Sequence, residues 1–104
     1  MKRKGLGHLD SHLAKALDLL GERWTLLVVQ SIIDGHQRFE LIRDELGIAR
    51  NILANRLNGL IDAGVVERKP YSERPPRDEY HLTSKGLDLV TSLEHLSTWG
   101  KKWL

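Results

Sequence analysis

Three asparagines carry the side chains whose type and spacing best fit a defined chemistry, and they are Asn51, Asn55 and Asn58. Residues three and four positions apart share one face of a helix, so these amides would point the same way. An asparagine amide can pair with N6 and N7 of adenine in the DNA major groove, and arginine can pair with O6 and N7 of guanine or with phosphate. Arg50 and Arg56 flank this face. The group therefore has the donors and acceptors needed to read bases.

The alternative for the same residues is an ordinary solvated helix face. Asparagine and glycine are poor helix formers, and this helix would carry three asparagines as well as Gly59. A purely structural surface would more often use glutamate, lysine or alanine at such positions. The composition of the face therefore favours binding.

A second basic group lies at 73–77, with the sequence ERPPR, shortly after Arg68 and Lys69. The two prolines stiffen the backbone, so Arg74 and Arg77 would project at a defined place. Such an arm suits contact with phosphate or with the minor groove. The alternative is a solvated tip whose arginines pair with neighbouring acids.

Composition excludes several other kinds of site. The chain has no cysteine, and therefore no disulfide, thiolate zinc site or cysteine nucleophile. Its five histidines are too scattered to suggest a metal site, and it has no nucleophile elbow, phosphate loop or matched carboxylate pair. We expect no metal, no cofactor and no enzymatic activity. Because the net charge is only +2, a basic surface would depend on the placement of charges.

The 104 residues suffice for one domain with one core. No apolar run approaches the roughly 20 residues of a membrane span, and no signal-peptide pattern follows Met1, so we expect a cytoplasmic protein with no membrane contact. The basic tail at 1–7 is expected to be mobile, and for Lys2, Arg3 and Lys4 disorder is favoured over phosphate contact.

Apolar periodicity and turn residues predict the elements in the first half of the chain. Ser11 is expected to cap a first helix, and Gly21 to end it in the left-handed conformation. The segment 24–33 is apolar almost all round, which fits a buried helix or a central strand; the stop at 34–35 favours a helix. A third helix begins near Phe39, and Gly47 supplies the sharp turn that follows it.

The second half is predicted to contain one helix, a hairpin and a final helix. The helix at 49–63 buries Leu53, Leu57, Leu60 and Ile61, and Gly64 ends it. Strands at 65–71 and 78–83 flank a turn at 72–77. Thr83 or Ser84 then caps one last helix. The apolar stripe of that helix, which needs a partner, consists of Leu87, Val90, Leu93, Leu96, Trp99 and Trp103.

Short motifs follow one another along the chain: AKAL at 14–17, LGERWTLL at 20–27, RF at 38–39, LGIARNIL at 46–53, RL at 56–57, L at 60, GV at 64–65, ER at 67–68, Y at 71, ERPPR at 73–77, EY at 79–80, LT at 82–83 and KG at 85–86. In this order they resemble the HxlR-type winged helix-turn-helix transcriptional regulators of bacteria. The predicted fold is mainly α with a small β-hairpin wing, a single winged helix-turn-helix domain over 1–104 with dimerisation helices at both ends.

The resemblance implies a homodimer joined through its first and last helices, with a recognition helix in each major groove and wings on the flanking backbone. The positions that the family uses for DNA binding fall here on Arg50, Asn51, Asn55, Arg56, Arg74 and Arg77. The residues predicted to form the dimer interface are Leu13, Leu17, Leu93, Leu96, Trp99 and Trp103.

Two positions depart from the family pattern. Many members carry a cysteine just before the first helix, and some use it to sense oxidants or electrophiles, but Ser11 occupies that place here. At 58–59 the family pattern has longer and often basic side chains, whereas this chain has Asn58 and Gly59. This predicts weaker contact with the DNA backbone at the end of the recognition helix.

The function predicted from these residues is sequence-specific binding of double-stranded DNA by a homodimeric transcriptional regulator on an inverted-repeat operator. The alternative is a winged helix used as a protein-protein interaction module. Two alternatives are open for regulation: a small molecule in a pocket near Trp24, Trp99 or Trp103, and control by abundance alone, which is favoured because no polar cluster marks a ligand site.

Overall fold

A computed structural model of the protein describes residues 5–104. Within that range the elements are α1 (His12–Leu20), α2 (Thr25–Ile33), α3 (Phe39–Leu46), α4 (Arg50–Asp62), β1 (Val66–Glu73), β2 (Pro76–Leu82), α5 (Ser84–Leu87) and α6 (Val90–Trp103). The predicted mainly helical fold with one antiparallel hairpin is confirmed. Lys2, Arg3 and Lys4 of the basic tail lie outside the described residues.

The ends of α1 follow the sequence prediction at one end only. The Ser11 hydroxyl oxygen accepts a hydrogen bond from the Ala14 amide at 3.1 Å, which confirms the predicted cap. Gly21 has φ −81° and is not left-handed, so that expectation was wrong. Its amide instead donates to the Leu17 carbonyl at 2.7 Å, and a Cβ on Gly21 would collide with the same oxygen. Glycine is needed here for a close approach of the backbone.

The apolar segment after Trp24 forms the central helix α2, as predicted. Val28, Val29 and Ile32 are buried in it, and the helix packs against α3, α4 and α6. Enclosure from several sides explains most of the apolar character of this segment, whereas Leu27 on the same helix is 52% exposed.

Helices α3 and α4 form the helix-turn-helix around Gly47, whose φ of +66° confirms the predicted left-handed turn. Leu53, Leu57 and Leu60 are each at most 1% exposed, which confirms three of the four residues predicted for the buried stripe of α4. Ile61, the fourth, is only partly buried and packs at the edge of the core. Burial of this stripe orients α4 and leaves its opposite face in solvent. Gly64, with φ +76°, turns the chain into the hairpin.

The hairpin, called the wing below, is longer than predicted. Ser72 pairs with Arg77 and Glu73 with Pro76, so strand pairing enters the segment expected to be a turn. Exposed edge strands tolerate proline, which allows β2 to begin at Pro76. The Tyr80 amide donates to the Gln37 carbonyl at 2.7 Å, and this bond ties the wing to the loop before α3.

The single C-terminal helix predicted after Thr83 is divided into α5 and α6. The Thr83 hydroxyl accepts from the Gly86 amide, which confirms one of the two predicted caps. The Leu89 amide then donates to the Gly86 carbonyl three residues back, which interrupts the regular four-residue spacing of an α-helix. Gly86 also lies so close to the Val65 carbonyl that a Cβ would collide with it. Packing against the base of β1 therefore accompanies the break.

Candidate nucleic-acid interface

The outer face of α4 is rich in exposed amides. Asn51, Asn55 and Asn58 are all exposed, opposite the buried leucines of the same helix, and we call these three residues the amide face. The helix begins at Arg50 without a side-chain cap and without an acidic residue in its first turn. Its first backbone N–H groups are thus open to an anion at the positive end of the helix dipole.

Arg50 is held at the start of α4 by residues of α3. Its guanidinium donates to a Glu40 carboxylate oxygen at 2.7 Å and lies 5.4 Å from the centre of the Phe39 ring. The other oxygen of Glu40 accepts from Arg43 at 3.4 Å. The hydrogen bond from Arg50 is the largest contribution that lowers the pKa of Glu40 below its usual range, so this carboxyl is ionised near neutral pH.

Sequence reasoning did not identify Glu40. Its i,i+3 spacing to Arg43 is visible in the sequence, but such pairs are common on helix surfaces. The contact with Arg50 crosses the turn at Gly47, and only the angle between α3 and α4 brings the two side chains together.

Arg56 is also anchored within the chain, on the side of α4 that faces the α1–α2 loop. Its guanidinium pairs with Glu22 at 2.9 Å and donates to the Arg23 carbonyl at 3.0 Å. It also donates to the Asn55 side-chain oxygen at 2.7 Å. Its side chain is only 18% exposed, so in this arrangement Arg56 connects α4 to the preceding loop and does not extend into solvent.

The wing meets the amide face through Arg68. This side chain donates to the Asn58 side-chain oxygen at 3.3 Å and lies 3.7 Å from Asp78. At the tip of the wing, Arg74 and Arg77 are exposed, and within residues 5–104 neither forms an ion pair. Asp78, which follows Arg77 in the sequence, pairs with Arg68.

Arg38 is a second residue that sequence reasoning did not single out for binding. Its guanidinium stacks 4.0 Å from the centre of the Tyr71 ring and pairs with Glu79 of β2 at 3.4 Å. Arg38 and Tyr71 line an open groove of about 380 Å³ between the start of α3 and the wing, with Phe39 and Arg77 also on its walls. The groove joins the start of the helix-turn-helix to the wing tip.

A different kind of surface lies on α1 and α6. Five large apolar residues are exposed there, and we call them the apolar surface. Their exposed fractions are 68% for Leu13, 43% for Leu17, 56% for Leu96, 56% for Trp99 and 65% for Trp103. Leu93, predicted for the dimer interface with them, is only 7% exposed and packs in the core of the single chain.

Residues 5–104 contain no group of three or more histidine, cysteine, aspartate or glutamate side chains placed to hold a metal ion. Among the same residues no helix is both long enough and apolar enough to cross a membrane.

The chain matches known proteins over most of its length. Residues 19–104 match the family described as HxlR-like helix-turn-helix. The uncharacterized HTH-type transcriptional regulator Mb3122 of Mycobacterium bovis is 43% identical over 90 residues, which are 86% of this chain and 57% of that protein. The chain thus spans little more than half the length of this relative.

Solved structures of similar proteins share the fold. PA1607, described as a candidate transcription factor, superposes with a TM-score of 0.87 at 34% identity over 97% of this chain and 70% of that one. The reduced form of the transcriptional regulator YodB from Bacillus subtilis superposes with a TM-score of 0.75 at 31% identity over 91% of this chain and 95% of that one.

Proposed function

The chain belongs to the HxlR-like helix-turn-helix family of transcriptional regulators, and we propose that it acts as a homodimer on an inverted-repeat operator in double-stranded DNA. The observation that carries the proposal is the amide face: three exposed asparagines on the helix that follows the turn at Gly47. An exposed α-helix of this kind fits the major groove, where amide side chains can distinguish base pairs.

Within the proposed complex, Asn51 and Asn55 read bases from the first turns of α4. Arg50 joins them because it lies at the end of the helix that enters the groove first. The Asn55 side-chain oxygen already accepts a hydrogen bond from Arg56. That bond fixes the Asn55 amide and leaves its two N–H donors free for an acceptor on DNA.

The other three arginines, Arg56, Arg74 and Arg77, have two different roles. Arg74 and Arg77 at the wing tip contact phosphate, since both are exposed and form no ion pair within the described part of the chain. Arg56 positions α4 through Glu22 and the Arg23 carbonyl, and so acts on DNA binding indirectly. The phosphate contacts of Arg74 and Arg77 set the affinity for DNA and its salt dependence, not the sequence preference.

The apolar surface is proposed to be the dimer interface, with a second copy of the chain as its occupant. A two-fold interface repeats the same patch on both subunits, so the large apolar side chains of one subunit can cover those of the other. Large exposed patches of this kind are uncommon on monomers. A dimer would place two copies of α4 about one helical turn of DNA apart, roughly 34 Å, as an inverted repeat requires.

A selection of binding sites from a random duplex library by the purified protein tests this proposal. We expect an enriched inverted repeat, with affinity for it that falls steeply as salt increases because counterions are released from the phosphates. A winged helix that serves only as a protein-interaction module would enrich no sequence. That result would remove DNA recognition as the function.

This chain contains no cysteine, so it has no thiol through which an oxidant could regulate it directly. YodB has been crystallised in diamide-treated and quinone-bound forms. At the position where the family often has cysteine, Ser11 caps α1. We therefore propose that DNA occupancy follows the abundance of the protein; a small-molecule effector held near Trp99 or Trp103 at the dimer interface is the second possibility.

A further inference from the structure

We propose that Glu40 is a positioning residue that sets sequence specificity by orienting Arg50 for guanine recognition; this inference rests on the proposed DNA-binding function. An acidic side chain beside a recognition helix ordinarily repels the phosphate backbone. The surroundings of Glu40 offset that repulsion and make the carboxylate useful.

Both oxygens of the Glu40 carboxylate have partners. One accepts from Arg50 at 2.7 Å and the other from Arg43 at 3.4 Å. Two guanidinium groups therefore surround one carboxylate, and the three side chains together carry a net charge of +1. The cluster remains attractive to DNA, although it contains an acid.

The contact with Glu40 leaves Arg50 able to bind a base. A guanidinium has five N–H donors in a planar fork, and Glu40 Oε1 lies 2.7 Å from Nη2 of that fork. The remaining donors can form the bidentate pair with O6 and N7 of guanine. The Arg50 side chain is still 59% exposed, so a base edge can reach it.

Orientation matters because a free arginine side chain samples many rotamers. Glu40 restrains the guanidinium on one side while the Phe39 ring lies 5.4 Å from it, so the side chain is ordered before DNA arrives. Without Glu40, Arg50 can turn towards the nearest phosphate, which it binds equally well on every sequence. The structure thus predicts that Glu40 lowers affinity for random DNA and raises the preference for the selected site.

The test compares Glu40→Gln and Glu40→Ala with the wild type on two duplexes. One duplex carries the sequence that the wild-type protein enriches from a random library, and the other is a scrambled duplex of equal length. We expect the ratio of the two affinities to fall by about 2- to 12-fold in Glu40→Ala, and by less in Glu40→Gln, because the amide still accepts a hydrogen bond.

Glu45→Gln is the matched control. It removes the same charge from the same helix, but Glu45 pairs with His36 at 3.1 Å and not with Arg50. We expect this variant to keep the wild-type affinity ratio. Thermal unfolding of all three variants should match the wild type, because both glutamates are on the surface and contribute little to stability.

A modified base identifies the atom that is read. Replacing the guanines of the selected duplex one at a time with 7-deazaguanine removes the N7 acceptor of each. At one of these positions, the replacement should reduce the affinity of the wild type by a larger factor than it reduces the affinity of Arg50→Ala. Glu40→Ala should show a smaller loss on that duplex than the wild type does. Glu40→Ala should also leave the ratio unchanged in an Arg50→Ala background.

The outcomes separate this inference from the proposed function. If no sequence is enriched, both the proposed function and the inference fail. If a sequence is enriched but Glu40→Ala keeps the full ratio, the role of Glu40 is wrong while DNA recognition stands. A rise in the ratio would also overturn the inference, since it would mean that Glu40 screens Arg50 from the bases.

Discussion

Two surfaces of the molecule can be compared: the polar surface of α4 and the wing, and the apolar surface of α1 and α6. They differ in how far their side chains find partners within a single chain. On the polar surface, three arginines find partners within the same chain: Arg50 with Glu40, Arg56 with Glu22, and Arg68 with Asn58. On the apolar surface, Trp99 and Trp103 remain 56% and 65% exposed.

The difference indicates that the two surfaces have different requirements for assembly. Ion pairs and hydrogen bonds within the chain order the side chains of α4 before any ligand binds, which lowers the entropic cost of recognition. Apolar side chains cannot be satisfied by water in the same way, so their burial depends on a second surface. One surface is thus organised by the single chain, and the other is proposed to be completed only in the dimer.

The largest effect is expected when the apolar surface is made acidic. In a Trp99→Asp, Trp103→Asp double variant, the dissociation constant of the dimer should rise by at least about 100-fold, because buried tryptophans dominate interface energies. Light scattering at micromolar concentration should report a monomer, with Leu41→Asp on α3 as an exposed apolar control that stays dimeric. A wild-type monomer, or a double variant that remains dimeric, would place the interface elsewhere.

The next effect separates the two parts of the polar surface. Asn55→Ala should reduce the free energy of binding to the selected duplex by about 1 to 3 kcal/mol and remove most of the sequence preference at one base pair. Arg77→Ala should weaken binding to all sequences alike and reduce the salt slope by about one. Titrations of both variants on selected and scrambled duplexes over a range of salt measure this contrast. Equal losses on both duplexes for Asn55→Ala would remove this residue from the base-reading set.

A smaller effect tests whether an anchored arginine acts through the fold. Arg56→Ala loses a charged hydrogen bond to the Arg23 carbonyl and the pair with Glu22, so the free energy of unfolding should fall by about 1 to 2 kcal/mol. Arg74→Ala, at the exposed wing tip, should change it by less than about 0.5 kcal/mol. Denaturant unfolding measures both. A reduced salt slope of DNA binding with unchanged stability in Arg56→Ala would instead indicate a direct phosphate contact.

The smallest effect is expected from oxidants. Diamide, hydrogen peroxide and quinones should leave the affinity of the wild type for DNA unchanged, because a serine hydroxyl forms no sulfenic acid or disulfide. Ser11→Cys, measured alongside, tests whether the position itself can respond once it carries a thiol. A reversible loss of binding by the wild-type protein under oxidant would contradict the argument from Ser11.

Local signals in the sequence were sufficient for most of the fold. The leucine spacing of α4, the left-handed Gly47 and the caps at Ser11 and Thr83 each depend on residues within a few positions of one another, and all appear in the structure. The family motifs then predicted the helix-turn-helix and the wing. Where local chemistry was ambiguous, as at Gly21, the prediction was wrong because a close backbone contact decided the conformation.

The sequence by itself determined which side chains are available for recognition: the asparagines of α4, the arginines of the wing and the tryptophans of the last helix. Tertiary structure alone decided how they are held. Glu40 meets Arg50 only because α3 and α4 converge, and Glu22 meets Arg56 only because the α1–α2 loop lies against α4. Packing also placed Leu93 in the core while Trp99 on the same helix stayed exposed. A helical repeat shows that residues share a face, but the neighbouring elements determine which part of that face is covered.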